Sequence, residues 1–249
     1  MTLYLGVDGG GTGCRAALAD DGGRVIGQGS AGPANIASDR AGALGNILAA
    51  SRSALSAAGL DEGTLPSLHA GLGLAGANSR GSVEALRAAL PFARVRIETD
   101  GVAAAKGALG DRDGIVAAVG TGSVYAVQRG TGLRQIGGWG LVLGDEGSGA
   151  WIGRALCAAA LRAVDGFAEL TPLLRDLLSE HGGPLGLVSF SLGARPADFA
   201  ALAPRAVGSS DAAAAAVMAR ADAEVAAAVD LLQAGGSVPV VFLGGLGPT

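Results

Sequence analysis

Apolar residues fall in short runs punctuated by glycine. Leu3–Val7 is such a run, ends at Asp8 and three glycines, and predicts a strand. Cys14–Asp20 predicts a second strand and Arg24–Ser30 a third. Asp20-Asp21-Gly22-Gly23 between them carries a hairpin-turn signal. Two hairpin strands at the start argue against a purely parallel sheet. From Asp39 to Gly59, Leu44, Ile47, Leu48 and Leu55 keep helical spacing. Leu68–Leu74 predicts a buried strand, Gly81–Leu90 a helix stopped by Pro91, and Val95–Thr99 a strand. Asp100 then opens a helix to Leu109. The first part therefore reads β-β-β-α-β-α-β-α.

A polar break, Gly110–Gly114, divides residues 1–112 from 113–249, and the pattern restarts. Strands are expected at Ile115–Val119, Val124–Arg129 and Leu133–Ile136. A glycine-rich stretch, Gly137–Gly149, leads into a helix over 150–164. Further helices are expected at Glu169–His181, Pro196–Ala206 and Asp211–Ala234, then a strand at Val238–Leu243 ending in Gly244-Gly245. The alanine-rich 212–228 reads as a packed helix, because Val217, Met218, Val225 and Val229 keep helical spacing. A strand, Gly/Thr turn, strand unit occurs once in each half, a weak structural repeat. The expected architecture is two α/β lobes with a cleft between them.

Composition narrows the function. The 249 residues suit one large or two mid-sized domains. The chain is 49% apolar but only 4% aromatic, so its core must be built from small aliphatic side chains. Its 44 glycines cluster without a Gly-X-Y period, which points to functional turns rather than collagen. A net charge of -4 with no basic patch speaks against nucleic acid as partner. No leader and no apolar segment of ~18 residues is seen, so neither secretion nor membrane insertion is expected. Cys14 and Cys157 are far apart and lack metal-ligand spacing. That fits a reduced cytoplasmic protein without disulfides or an iron–sulfur cluster.

Two loops carry candidate chemistry. Asp8-Gly9-Gly10-Gly11-Thr12 has glycines that permit left-handed backbone and close ligand approach. Successive amides in such a turn make an anion-binding concavity, and Thr12 adds a hydroxyl. Asp8 suits Mg²⁺ held through water. The alternative is an ordinary tight hairpin. The stretch is neither a P-loop nor a dinucleotide fingerprint. Gly120-Thr121-Gly122-Ser123 repeats the pattern in the second half, and two such hairpins favour a phosphate clamp over coincidence.

Asp100, where a strand meets a helix, is either a general base or a helix N-cap; spacing alone favours the cap. Gly137–Gly140 and Gly144–Ser148 surround Trp139, Asp145 and Glu146, a composition suited to a polar pocket. Asp145 can accept sugar hydroxyls and Trp139 can wall a sugar ring. The alternative is a solvated loop, in which an exposed tryptophan would be costly. Asn35, after Gly32-Pro33-Ala34, reads either a sugar hydroxyl or a turn. His69, His181, Arg15, Lys106 and Cys14 read as structural or solvated.

Taken in order, these motifs resemble the acetate and sugar kinase, heat-shock protein and actin superfamily. Within it, the chain resembles the BadF/BadG/BcrA/BcrD-type ATPase family, on its N-acetylglucosamine and glucosamine kinase branch. The resemblance is carried by GVDGGGTGCRAAL (6–18), GPANI (32–36), GLGLAGA (71–77), ETDGVAAAKGAL (98–109), AVGTGS (118–123) and GGWGLVLGDEGSGAWIG (137–153). VVFLGGLGP (240–248) is similar to the adenosine motif.

The resemblance implies an α/β protein of two ribonuclease H-like lobes in the actin-like ATPase fold. Residues 1–112 would be the sugar-binding lobe with the first phosphate loop, and 113–249 the nucleotide-binding lobe. It implies ATP and Mg²⁺, with Gly9, Gly10, Gly11, Thr12, Thr121, Gly122, Ser123, Gly244 and Gly245 on the nucleotide and Asp8 serving the metal. Asn35, Asp100, Trp139 and Asp145 would face an amino sugar, joined by the backbone of Gly138 and Gly140. Asp100 would be the base that deprotonates the sugar's 6-hydroxyl. Homodimerisation is implied as well.

The family continues beyond the adenosine motif, whereas this sequence stops at Thr249, so the second lobe is expected to lack its final elements. An activator ATPase of the same family would need cysteines at an iron–sulfur interface, which Cys14 and Cys157 do not match. A nucleotide-dependent switch would lack the Gly138–Asp145 cluster. GTGCRA, GPANI and LAGA lean toward bacterial glucosamine kinases. The 137–153 stretch suits N-acetylglucosamine kinases equally.

Overall fold

The computed structural model describes residues 2–246, which divide into two compact units between Gly110 and Asp111. In the first, β1 (Tyr4–Gly9), β2 (Cys14–Ala19) and β3 (Val25–Ala31) make an antiparallel meander. β4 (His69–Leu74) and β5 (Arg94–Thr99) add in parallel, giving the order β3-β2-β1-β4-β5. Helix α1 (Arg40–Ala57) follows β3, α2 (Arg80–Ala89) follows β4, and α3 (Asp100–Leu109) follows β5. Alternation along β1 separates Leu5, Val7 and Gly9, which are buried, from Tyr4, Gly6 and Asp8 on the other face. The buried face packs with Ile47, Ala50, Ala54 and Leu55 of α1 into one core.

Helices approach this sheet most closely at glycines. α1 lies so close to β3 that a Cβ on Gly27 would collide with the Ala54 carbonyl oxygen, and one on Gly29 with that of Ala50. Gly73 of β4 likewise leaves room only for Ala103 of α3. Glycine here sets the distance between layers.

The second unit opens on the same plan. β6 (Gly114–Val119), β7 (Ser123–Arg129) and β8 (Gly132–Gly137) form a meander, and β9 (Val240–Leu243) joins β6 in parallel, in the order β8-β7-β6-β9. Between β8 and β9 lie α4 (Gly149–Val164), α5 (Pro172–Glu180), α6 (Pro184–Gly193), α7 (Pro196–Ala200) and α8 (Ala212–Gln233). Leu232 of α8 joins Ile115, Ala117, Val119, Tyr125 and Val127 beneath the sheet. Leu156, Leu174, Leu177, Leu187, Phe199 and Val217 make a separate helical core. No described helix is long and apolar enough to cross a membrane.

The elements differ from expectation where proline or missing periodicity intervenes. α6 was not expected: PLGLVSFSLG is apolar all round, so no period marks it, yet Pro184 occupies its first turn. The helix expected over Pro196–Ala206 is split. α7 ends at Ala200 and a 3-10 turn covers Ala203–Arg205, since Pro204 cannot donate to a continuing helix. A 3-10 turn at Glu62–Ser67 also went unmarked.

Replacing Gly29 by alanine is expected to destabilise the protein by about 1–3 kcal/mol, the range for overpacking. In α1, Gly45 faces open space, so Gly45→Ala should instead stabilise by about 0.5–1 kcal/mol through helix propensity. Chemical denaturation of the two variants checks both signs.

Candidate functional site

In the first unit the β1–β2 turn is closed by Gly10 N donating to Gly13 O at 2.9 Å. Two flanking segments brace it: Ala34 N donates to Gly10 O (2.9 Å) and Ala75 N to Gly9 O (2.8 Å). The glycines do not act as expected, since none of Gly9, Gly10 or Gly11 has a left-handed φ. Gly9 is needed for packing, because a Cβ would lie 2.7 Å from Leu74 Cδ2 and 2.8 Å from Ala34 Cβ. Gly11 has nothing within 4 Å and Gly10 only the Gly13 carbonyl at 3.9 Å. The Gly11 backbone is therefore open to an approaching ligand, with Thr12 beside it, whereas both Gly10 backbone groups are already paired.

Asp8, exposed at the end of β1, forms no ion pair among the described residues. An unpaired carboxylate next to open backbone suits a hydrated Mg²⁺. Asp8 also lines a groove of about 840 Å³ on this face of the sheet, with Arg15, Glu98 and Lys106.

Asp100 is not the N-cap of α3. Thr99 fills that position, its Oγ1 accepting from Val102 N at 3.3 Å, and Asp100 is the first helical residue. Its Oδ1 accepts from Gly101 N at 2.9 Å. Burial pushes the Asp100 carboxyl above the usual carboxylate range; the Gly101 amide opposes this, and the negative charge of Asp8 adds to the rise. A carboxyl relieved of capping and made more basic suits proton abstraction.

Asn35 fulfils the turn reading with its oxygen: Oδ1 accepts from Ala37 N (3.0 Å) and Ser38 N (3.2 Å). Its Nδ2 amide is what remains to meet a ligand. Gly76 (φ 80°) stands beside it, where a Cβ would sit 2.6 Å from Asn35 Oδ1.

The second unit draws three motifs together at the end of β6. In the β6–β7 turn, Gly120 N donates to Gly122 O at 2.9 Å. The start of α4 is stitched to this turn, Gly149 N donating to Gly120 O (2.8 Å) and Ala150 N to Thr121 O (3.1 Å). Ser148 caps α4, its Oγ accepting from Trp151 N at 3.2 Å. The positive end of the helix dipole thus lies beside the turn. Gly244 (φ 98°) presses on β6 so closely that a Cβ would meet the Val119 carbonyl, and Leu246 N donates to Val119 O at 3.2 Å. Gly245 is open; Gly247 and Pro248, the end of the adenosine-like motif, lie outside the described residues.

Asp145 is the centre of this arrangement. It is 7% exposed, and among the described residues it is the one non-glycine with positive φ (59°). Its carboxylate lies against Gly122, where a Cβ would be 2.8 Å from Oδ2. Its carbonyl accepts from Ser148 N at 3.0 Å. The expected sugar-reading carboxylate and the expected phosphate turn are therefore adjacent parts of one substructure.

Ser123 is 4% exposed and donates its hydroxyl to Glu146 O at 2.9 Å, so that hydroxyl is committed internally; Thr121 keeps the freer one. Trp139 contradicts the expectation that an exposed tryptophan here would be too costly. It is 69% exposed, beside Val142 and Leu143 at 88% and 82%. Left-handed Gly138 (φ 74°) and Gly140 (φ 84°) bend the loop and present it, while Arg154 Nη1 anchors it by donating to Leu141 O at 2.8 Å.

The remaining polar residues are structural. His69 meets Tyr4 edge-on, and His181 Nδ1 lies 2.9 Å from Leu177 O and packs on Phe190. Burial pushes the Cys14 and Cys157 thiols up to about 11. The Asp145–Gly122 contact and the commitment of Ser123 were beyond sequence reasoning, for both depend on a fold-back across more than twenty residues. The one local hint was an aspartate before Glu-Gly in a glycine-rich turn.

Residues 5–247 match the family described as the BadF/BadG/BcrA/BcrD ATPase family. The glucosamine kinase GspK of Vibrio cholerae serotype O1 is 34% identical over 207 residues, 82% of this chain and 70% of that protein. A solved Chromobacterium violaceum structure, provisionally designated an N-acetylglucosamine kinase, superposes with a TM-score of 0.91 at 33% identity. It covers 99% of this chain and 88% of that one. A ROK family glucokinase from Streptomyces griseus, solved with glucose and AMPPNP, shares the fold at a TM-score of 0.53 and 22% identity, over 98% of this chain and 83% of that one. The two α/β units are those of the actin-like ATPase fold.

Gly122→Ala places a methyl against Asp145 and is expected to cost about 1–3 kcal/mol of stability. Gly120→Ala enters open space and should stay within roughly 0.5 kcal/mol of the parent. Paired thermal melts separate the two.

Proposed function

The chain belongs to the BadF/BadG/BcrA/BcrD ATPase family, and we propose that within it this protein is an amino-sugar kinase, transferring the γ-phosphoryl group of ATP to the 6-hydroxyl of glucosamine or N-acetylglucosamine. The observation that carries the reading is Asp100: a carboxyl at the first position of α3, freed from capping by Thr99 and held above its ordinary range by burial. Similarity to a glucosamine kinase over most of the chain supports the substrate class.

In this reading Asp100 takes the proton of the 6-hydroxyl as that oxygen bonds to the γ-phosphorus and the bond to the β-phosphate oxygen breaks. The products are the sugar 6-phosphate and ADP. The Gly11 amide with Thr12, in the turn that Gly10 closes, and Thr121 with the turn beside the α4 N-terminus, meet the phosphates. Gly9, Gly122 and Ser123 shape those turns, and Gly244 and Gly245 take the adenosine. Mg²⁺, when bound, offsets phosphate charge, and Asp8 would hold it through water. Asn35 Nδ2, the Asp145 carboxylate and the backbone of Gly138 and Gly140 meet the sugar hydroxyls. The exposed indole of Trp139 offers a face to the ring. Most of the acceleration comes from positioning and charge stabilisation, with the base adding its share.

ADP release with Mg-ATP should depend on glucosamine or N-acetylglucosamine and not on glucose; release indifferent to every sugar would instead favour a nucleotide switch. Asp100→Asn should lower turnover by about 10²–10⁴-fold. The sign for stability is opposite. A carboxyl whose folded-state pKa is raised binds more protons folded than unfolded above its ordinary value, so stability falls as pH rises through that window. Removing the ionisable group should therefore raise the neutral-pH melting temperature of the nucleotide-free protein, and a drop would contradict the burial argument.

A further inference from the structure

The second unit holds a cavity of about 540 Å³ between α4, α8 and the approach to α5, sharing no residue with the sugar and nucleotide sets above. Its floor is alanine from α4 and α8. Around it stand Arg154, Arg162 and Arg220, with Glu169 as the one acidic lining residue. Three positive charges less one negative leave the lining at +2.

None of these arginines forms an ion pair among the described residues. Each is nonetheless held: Arg220 lies over the Trp151 ring at 5.1 Å, Arg162 over Phe167 at 4.7 Å, and Arg154 donates to Leu141 O. Aromatic stacking fixes a guanidinium while leaving its N–H fork available. Thr171 supplies a second, independent sign. Thr171 lines the cavity and is 6% exposed; its hydroxyl is buried and, though close to the Asp211 carboxylate, meets no partner in hydrogen-bonding geometry among the described residues. A buried hydroxyl without a partner is costly unless something supplies one.

Single arginines over aromatic rings are ordinary surface features. Two of them and a third arginine held by a carbonyl, around one cavity with a single acidic lining residue and a buried hydroxyl lacking a partner, are not. We propose that this cavity binds a small phosphate monoester, its phosphate among the three guanidiniums and the Thr171 hydroxyl and its carbon body on the alanine floor. A phosphate monoester carries about −1.5 to −2 at neutral pH, opposite in sign to surroundings where three arginines outnumber Glu169 and the Asp211 carboxylate beside Thr171. Guanidiniums bind such oxyanions through paired, charge-assisted hydrogen bonds. The volume lies within the roughly 300–1,000 Å³ of small-molecule sites. The site does not rest on the kinase reading.

The chain has two tryptophans, so Trp139→Phe leaves Trp151, stacked under Arg220, as the only indole reporter. This protein is titrated with glycerol 3-phosphate at constant ionic strength, with Mg²⁺ and a non-hydrolysable ATP analogue saturating the nucleotide residues. A saturable change in Trp151 emission is expected, weakened about tenfold or more by Arg162→Gln, which leaves the Trp151–Arg220 stack intact. Glycerol should give no response, and malonate a much weaker one. A response that only tracks sodium chloride, a saturable response unchanged in both Arg162→Gln and Arg154→Gln, or malonate binding as tightly as the phosphate would each overturn the assignment. If Trp139→Phe folds poorly, calorimetric titration of glycerol 3-phosphate into the unsubstituted protein and into Arg162→Gln measures the same tenfold difference directly.

Discussion

Two backbone hydrogen bonds, from Gly149 N to Gly120 O and from Ala150 N to Thr121 O, hold the second unit's site together. They pin the start of a sixteen-residue helix to a four-residue turn. Everything in the intervening glycine-rich stretch is then constrained at both ends. Asp145 must pass through left-handed backbone to bring its carboxylate under Gly122, and Ser123 must give its hydroxyl to Glu146. A non-glycine residue in that region is uncommon and tolerable mainly for Asp and Asn. The strain and one of the proposed sugar contacts thus fall on one residue.

The first unit solves a similar problem with less strain. Its turn is braced from two sides by Ala34 and Ala75, without left-handed glycine. Gly9 yields space to Leu74 and Ala34, and Gly10 and Gly11 are left bare. Asp8 stands near the end of β1 and Asp100 at the start of α3, just past β5 of the same sheet, and the charge of the first helps keep the second basic. Small residues recur for a packing reason too: α1 can approach β3 only because Gly27 and Gly29 have no side chain.

Much of this was legible in the sequence because local signals agreed with the fold. The paired meanders were announced by Asp-Gly and Gly-Thr turns between apolar runs, and α1 and α8 by helical spacing. The two Gly-Thr turns and Asp100 drew attention as candidates by residue type and position. Other features were not legible. α6 has no polar face to give it a period, and Pro204 broke a helix that apolar residues alone would have continued. Asp100 looked like a cap because it directly follows the strand; Thr99 is at once the last residue of β5 and the cap of α3. Trp139 was expected to be sheltered, but its placement depends on two left-handed glycines that tip the loop outward. The partner of Asp145 lies more than twenty residues away, where no local pattern reaches.

The two cysteines have a use beyond their place in the cores. Both thiols are buried, one in each unit, with pKa values of about 11. Only roughly one thiol in ten thousand is then ionised at neutral pH, and the thiolate is the reactive form. The native chain is therefore close to silent toward alkylating and maleimide reagents. A cysteine introduced at an exposed position in each unit would carry a spectroscopic label with little background, allowing the distance between the units to be followed in solution as ligands are added.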